Sequence, residues 1–298
     1  MSDPVGRRAT ILAPAKINLA LRVLGRRPDG YHDIDTLFQA IDLCDEVEVR
    51  LTADGVSVEV EGADLGPREE NLAYRAATRF MEEARADAGV RVRLSKRIPV
   101  GAGLGGGSSD AAAVLRCLAG LIGGVGEPRL RELGAELGSD VPFFLGESPL
   151  SRGQGRGEVL EPLPALPATD LVLVSPPVRV STAEAYGALA SSRAGTAPGM
   201  DARGHTAVLC TWRDLAAIAR NDFEPVMTVA HPEIAGALAA LRSAGASAVQ
   251  MTGSGSTCFG LFADTAAANQ AAEGLRGELG ATCTAARTLV ALPVTRWT

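Results

Sequence analysis

The sequence predicts a two-domain α+β protein, and three observations carry that prediction. The first hundred residues alternate like strands around one helical run. The region after residue 169 follows the order strand, helix, strand, strand, helix, strand. Between them "EPLPALPAT", residues 161–169, holds three prolines and reads as a connection, so the domains are expected at 1–165 and 166–298. A chain of 298 residues is long enough for two cores of ordinary size.

Taken in order, "DEVEVRL" and "GVSVEVE" put Val47, Val49 and Leu51, then Val56, Val58 and Val60, at alternate positions. The Asp54-Gly55 turn signal between them predicts an antiparallel hairpin. The run from Asn71 predicts a helix closed by Gly89, and Val90, Val92 and Leu94 predict a strand that stops at Pro99. "SSDAAAVLRCLAGLIGG" predicts a helix from about Ser108 to the Gly123-Gly124 stop, with a second helix over Arg129 to Leu137. Beyond the prolines come a strand at Leu171–Val174 and helices at Thr182–Leu189 and Pro232–Ser243. Strands at Ala246–Met251 and Thr257–Phe262, a helix at Thr265–Leu279 and a strand at Thr282–Leu289 follow. With one helical region set aside this is βαββαβ, the ferredoxin-like arrangement. Residues 191–207 are small and polar and read as a mobile surface segment.

Composition narrows the function. The net charge of −6 gives no general attraction to nucleic acid or to an anionic membrane, so a polyanionic ligand must meet local positive groups. Five scattered cysteines without a C-x-x-C pair argue against disulfides and zinc, and fit a reducing, cytoplasmic setting. His32, His205 and His231 share no metal-ligand spacing. The N-terminus has no signal-peptide pattern, and no apolar run reaches the roughly 18 residues of a membrane span.

The stretch "PVGAGLGGGSSDAAA", residues 99–113, places five glycines in seven positions before a helix. Gly101, Gly103 and Gly106 satisfy G-x-G-x-x-G, yet the context is wrong for a dinucleotide fold, because a helix follows where a strand is needed. No lysine follows the glycines, so the Walker pattern also fails. Bare backbone at a helix start still offers unpaired N–H groups and the positive dipole end to a phosphate. Ser108 and Ser109 add hydroxyls for phosphate or magnesium, with helix capping as the alternative. Asp110 is expected to cap that helix or to lie near a metal, and the basic strand "RVRLSKR" to be a solvated face, with an ATP-binding patch as the alternative. Lys16 and Asn18, two apart in "PAKINL", fall on one side of an extended chain between apolar flanks, where a lone charge needs a partner.

This glycine loop resembles the phosphate loop of the GHMP kinases, the family of galactokinase, homoserine kinase and mevalonate kinase. Residues 13–47, "LGSDVPFFL" (137–145), "GRGE" (155–158), "NDFE" (221–224) and "MTGSGSTCFG" (251–260) resemble the family in the expected order over nearly the whole chain. The resemblance implies the family's two-domain fold, with an N-terminal domain like domain 2 of ribosomal protein S5 and a ferredoxin-like C-terminal domain. It implies ATP and Mg2+ as cofactors, with ATP held by Pro99, Val100, Gly101, Ala102, Gly103, Leu104, Gly105, Gly106, Gly107, Ser108 and Ser109. No residue is put forward as a metal ligand. Lys16 and Asp140 are implied as the catalytic pair, Asp140 serving as base or as the group that orients the acceptor hydroxyl; a helix cap is its structural alternative. The implied acceptor is a small molecule, a cytidine diphosphate-linked methylerythritol phosphorylated on its 2-hydroxyl.

Asn18, Tyr31, His32, Asp140 and the loop residues Gly253, Ser254 and Gly255 would bind that acceptor. Tyr186 would give the second face of a cytosine sandwich, with ordinary packing as the alternative for both tyrosines. A kinase for homoserine or mevalonate would have no use for the base-binding "DGYH", and a non-catalytic relative would be expected to lose Lys16 or Asp140. A monomer or weak homodimer is expected.

Overall fold

The computed structural model describes residues 5–193, 211–212 and 218–298. His205, Cys210 and the part of the 191–207 segment beyond Arg193 lie outside the described residues.

Two long antiparallel strands, β1 (Arg8–Arg26) and β2 (His32–Thr52), begin the chain. Bulges near Ala15, Leu19 and Leu24 interrupt their register. The chain then runs through β3 (Val56–Glu61), α1 (Leu72–Ala84) and β4 (Gly89–Ser95). The expected hairpin does not form. β4 inserts between β2 and β3, antiparallel to the first (Val49 opposite Val92) and parallel to the second (Val58 opposite Val92). The reason is α1: a strand–helix–strand segment makes a parallel crossover. The insertion buries Val90, Val92 and Leu94 in the sheet centre and leaves the β3 valines half-buried at its edge. α1 also stops four residues before the predicted glycine. Arg85 caps it in the left-handed conformation, its N–H donating to the carbonyls of Met81 and Glu82. Gly89 instead opens β4, where a Cβ would lie 2.1 Å from the Asp54 carbonyl.

α2 (Gly106–Ile122) packs its alanine-rich length under this sheet, followed by α3 (Glu127–Leu137), α4 (Val141–Leu145), β5 (Leu150–Gln154) and β6 (Val159–Pro162). The second half comprises β7 (Asp170–Ser175), α5 (Thr182–Ser192), α6 (Glu224–Ala230), α7 (Pro232–Ser243), β8 (Ala248–Met251), β9 (Cys258–Phe262), α8 (Thr265–Leu279) and β10 (Thr282–Arg287). Its sheet has the order β10-β7-β9-β8, antiparallel throughout, as the ferredoxin-like pattern requires. A two-residue strand, β11 (Arg296–Trp297), returns to pair with β1, and the Trp297 indole lies over Gly120, where a Cβ would come within 1.9 Å of the ring.

Each sheet has its own core, and a third buried cluster joins them. It contains Ile17 and Leu19 from β1, Ala102 and Leu104 from the glycine loop, and Leu171, Leu173, Phe259 and Leu261 from the second sheet. The glycine loop therefore sits on the seam between the sheets. No helix among the described residues is long and apolar enough to cross a membrane.

Candidate active site

The loop is built by alternation. Gly101, Gly103 and Gly105 have φ of +67°, +79° and +71°, values that suit glycine, while Ala102 and Leu104 between them are buried in the seam cluster. The apolar side chains anchor the loop and leave its glycine backbone facing outward. α2 begins at Gly106, with Gly105 at the cap position, two residues earlier than expected, so neither serine nor Asp110 caps it. Ser108 lines the cavities on both sides of the loop, but Ser109, one residue and about 100° further round the helix, is 1% exposed and faces neither. Ser109 is thus withdrawn from the set in direct reach of phosphate.

Two clefts meet at this loop. One, of about 470 Å³, is lined by Leu65, Asn71, Leu72, Pro99, Val100 and the whole run from Gly101 to Ser108. The other, of about 490 Å³, is lined by Lys16, Asn18, Asp140, Arg156, Tyr186, Phe223, Gly253 and Ser254, among others. Gly101, Gly103, Gly105, Ser108 and Thr182 line both, so the loop is their common wall. Gly255 lines neither; a Cβ there would meet the Met251 sulfur at 2.9 Å. The two glycine loops touch directly, since a Cβ on Gly103 would lie 2.5 Å from the Thr252 carbonyl and one on Gly253 would lie 2.9 Å from the Gly103 carbonyl.

Lys16, 4% exposed, runs its aliphatic stem along Gly105 and aims its ammonium into the second cleft. Its Nζ donates to Asn18 Oδ1 at 2.7 Å, lies 3.6 Å from Asp140 Oδ2 and sits 5.7 Å from the Phe38 ring centre. Burial pushes this ammonium below the ordinary lysine range, and the charge of Asp140 opposes that shift. Asn18 in turn donates through Nδ2 to Thr36 Oγ1 at 2.8 Å. Asp140 stands at the head of α4 without capping it, so its carboxylate is left to the cleft. Ser108 is close by, its Oγ 3.6 Å from where a Gly138 Cβ would stand.

Of the aromatic residues expected around a base, His32 covers a face of Tyr186, with ring centres 4.3 Å apart and planes 18° from parallel. Phe223 meets Tyr186 edge-on at 4.8 Å. Tyr31 is 57% exposed, and the Arg156 guanidinium lies 4.9 Å from its ring centre. A half-buried ring gains by covering its apolar face, and His32 is the ring within reach. Burial first, then the charges of Arg26 and Arg193, lower the His32 pKa, which favours a neutral imidazole for this stack. Burial, and secondarily Asp140, push the Tyr186 phenol up to about 12, so it remains a hydrogen-bond donor.

Three groups have roles that the sequence left unassigned. Arg156, within "GRGE", brings a cation to the second cleft. Thr182, at the start of α5, lines both clefts. Lys96 departs from the solvated strand that bears it. Arg91 and Arg93 are exposed beside Glu59, but Lys96 turns inward, donating to Asp45 Oδ2 and, at 2.6 Å, to Asp110 Oδ2. Asp45 also accepts the N–H groups of Arg97 (2.6 Å) and Ile98 (2.9 Å), tying the approach to the glycine loop. Asp110 is therefore an ion-pair partner beneath the loop and no helix cap. Burial drives its pKa up to about 7, with the nearby Asp45 adding to the rise and Lys96 opposing it. The only available sign of this triad was the run of charges around an apolar strand end.

Comparison with known proteins accords with this geometry. The family model for the GHMP kinases N terminal domain matches residues 71–147, and that for the GHMP kinases C terminal matches 209–281. The chain is 46% identical to the 4-diphosphocytidyl-2-C-methyl-D-erythritol kinase of Solibacter usitatus over 276 residues, 91% of this chain and 86% of that one. It is 47% identical to the enzyme of the same name from Pelotomaculum thermopropionicum over 266 residues, covering 88% and 92% of the two chains. A crystal structure of 4-(cytidine 5'-diphospho)-2C-methyl-D-erythritol kinase superposes with a TM-score of 0.77 at 38% identity, over 94% of this chain and 98% of its own. Homoserine kinase from Cytophaga hutchinsonii shares the fold, with a TM-score of 0.73 at 18% identity over 100% and 99% of the chains. With two such relatives at 46% and 47% identity over most of its length, and with both GHMP kinase models matched in order, this chain belongs to the 4-diphosphocytidyl-2-C-methyl-D-erythritol kinase family of GHMP kinases.

Proposed function

We propose that this protein transfers the γ-phosphate of ATP to the 2-hydroxyl of 4-diphosphocytidyl-2-C-methyl-D-erythritol, a step in the non-mevalonate route to isoprenoid precursors. The observation that carries the reading is the pair of clefts sharing one glycine wall, with Lys16 and Asp140 on one side of it. The nucleotide base takes the side of Leu65, Asn71 and Leu72, and the triphosphate follows the loop from Gly101 to the first turn of α2, which begins at Gly106 and includes Ser108. There the unpaired N–H groups and the helix dipole meet its negative charge.

The acceptor occupies the other cleft with its hydroxyl between Lys16 and Asp140. Asp140 orients the hydroxyl and takes its proton as the new O–P bond forms, while the bond from the γ-phosphorus to the bridging oxygen breaks and ADP leaves. Lys16, shielded from water, balances the charge on Asp140 and on the phosphoryl group in flight. A loose phosphoryl transition state asks chiefly for such alignment and neutralisation. Arg156 is suited to the acceptor's diphosphate, and Tyr31, His32 and Tyr186 to its cytosine. Entry of the base between Tyr31 and Tyr186 requires His32 to leave the face it now covers.

The donor set near the loop suits a hard cation. Ser108, on the first turn of α2, offers a hydroxyl oxygen to both clefts, and Mg2+ characteristically takes one or two protein oxygens plus phosphate and water. Bound there, Mg2+ would neutralise the β- and γ-phosphate oxygens.

Release of ADP, followed with 4-diphosphocytidyl-2-C-methyl-D-erythritol, homoserine or mevalonate as acceptor, tests the assignment. Turnover with the cytidylyl compound alone is the expected result. Turnover with either of the others, and not with it, contradicts the substrate.

A further inference from the structure

The stretch "NDFE" puts Phe223 on the wall of the second cleft and Asn221 behind that wall. Its backbone is sewn to β1: Leu21 N–H donates to the Arg220 carbonyl at 2.6 Å, and Asp222 N–H to the Leu21 carbonyl at 2.9 Å. Asn221, 4% exposed, uses its whole carboxamide. Nδ2 donates to the Met251 carbonyl (2.7 Å) and the Gly253 carbonyl (2.9 Å), and Oδ1 accepts Phe223 N–H (2.9 Å). Those two carbonyls flank Thr252. Glu224 holds the same loop from the other direction, accepting Met251 N–H at 2.8 Å.

Thr252 is fully buried, and its hydroxyl is spent on one residue. It accepts Asn18 N–H at 2.9 Å and reaches Asn18 Oδ1 at 3.3 Å. Asn18 Oδ1 is also the oxygen to which the Lys16 ammonium donates. An unbroken polar chain thus runs from Asn221 through the backbone around Thr252, its hydroxyl and Asn18 to Lys16, which faces Asp140. Fixing the carbonyls on both sides of one residue fixes the direction of its side chain. Any shift of this segment would also be felt by Gly103, against which Gly253 is packed.

We infer that Asn221 is a positioning residue for phosphoryl transfer: it orients Thr252, which holds Asn18 and so directs the Lys16 ammonium toward Asp140. The inference rests on the kinase reading above. It assigns to a residue outside both clefts a part in aligning the reacting pair.

The test is Asn221→Leu, of similar shape but without the donor. Its kcat is expected to fall by about 10²-fold, the scale of an ångström of misalignment, with KM for ATP changed by less than about threefold. Thr252→Val breaks the same chain one link further on. Because both act through one path, the double variant should be little worse than the poorer single one. A folded Asn221→Leu protein with kcat within about twofold of the parent, or losses that multiply in the double variant, would overturn the inference. If Asn221→Leu does not fold, Thr252→Val decides alone, and an unchanged kcat overturns the relay. A parent that turns over no acceptor would instead count against the kinase reading. The relay can then be read without turnover, by 15N NMR titration of Lys16 Nζ. Loss of the Asn18 partner should make the ammonium release its proton at lower pH in either variant, and an unmoved titration contradicts the proposal.

Discussion

Gly103 is where the two glycine loops meet, and Gly103→Ala puts a defined strain there. At φ +79° an alanine is left-handed, at a cost of about 1–2 kcal/mol. Its Cβ would then stand 2.5 Å from the Thr252 carbonyl and 3.1 Å from the Gly255 carbonyl, against 3.4 Å for ordinary contact. Both obstacles are backbone and cannot swing aside, so the loops must part by roughly 0.9 Å, the difference between 3.4 and 2.5 Å. A displacement near 1 Å at a reacting site can cost about 10²-fold in rate. Gly101→Ala is the comparison. Its φ of +67° brings a similar strain, but nothing lies within 4 Å of the new methyl group. In an ADP-release assay at saturating substrates, Gly103→Ala should lose about 10²-fold in kcat, and Gly101→Ala less than a tenth of that loss. Urea denaturation should show both destabilised, Gly103→Ala by more. Equal losses in the two variants, or Gly103→Ala within about threefold of the parent, would mean that contact between the loops does not align the site.

Two further effects follow from buried and clefted charge. Asp110 holds its proton up to about pH 7 in the folded state, whereas the unfolded chain releases it in the ordinary carboxylate range. In that window the folded state binds more protons, so stability declines as pH rises toward and through 7. The decline should be flatter in Asp110→Asn, as read from urea midpoints between pH 5 and 8, and identical slopes would count against a raised pKa. Arg156→Ala removes a cation from the acceptor cleft while leaving the nucleotide cleft intact. At about 1.5–3 kcal/mol for a charged hydrogen bond, KM for the acceptor should rise about 10-fold or more, with KM for ATP little changed. A rise in KM for ATP alone would move Arg156 to the other substrate.

Much of this was legible in the sequence wherever a local signal decides the outcome. The helices at Pro232–Ser243 and Thr265–Leu279 have the bounds that their proline start and Asp264 cap indicate. The order of the second half was enough to predict its sheet, because βαββαβ leaves few ways to pair. Partner choice in the first half was not local. Alternation identified both strands of the supposed hairpin but could not show that the α1 crossover would bring β4 between them. β11 pairs through two residues and carries no periodic pattern at all.

The site divides in the same way. Lys16 stood out because a charge between apolar flanks needs a partner, and Asp140 is that partner in space. Ser109 shares its chemistry with Ser108 and differs only in helix phase, which depends on where α2 begins. The Lys96 triad joins β2, the end of β4 and α2, and the Asn221 clamp joins residues about thirty positions apart. Such contacts exist only once the sheets are assembled.

Transfer of phosphate along the glycine wall to a hydroxyl held by Asp140 can be followed by single-turnover reaction of γ-32P-labelled ATP with 4-diphosphocytidyl-2-C-methyl-D-erythritol, comparing the parent with Asp140→Asn, and by calorimetric ATP binding to each. Label should enter the acceptor with the parent, and Asp140→Asn should lose about 10²–10⁴-fold in rate while its ATP affinity stays within about threefold. Transfer by Asp140→Asn at the parent's rate would remove Asp140 from the reaction.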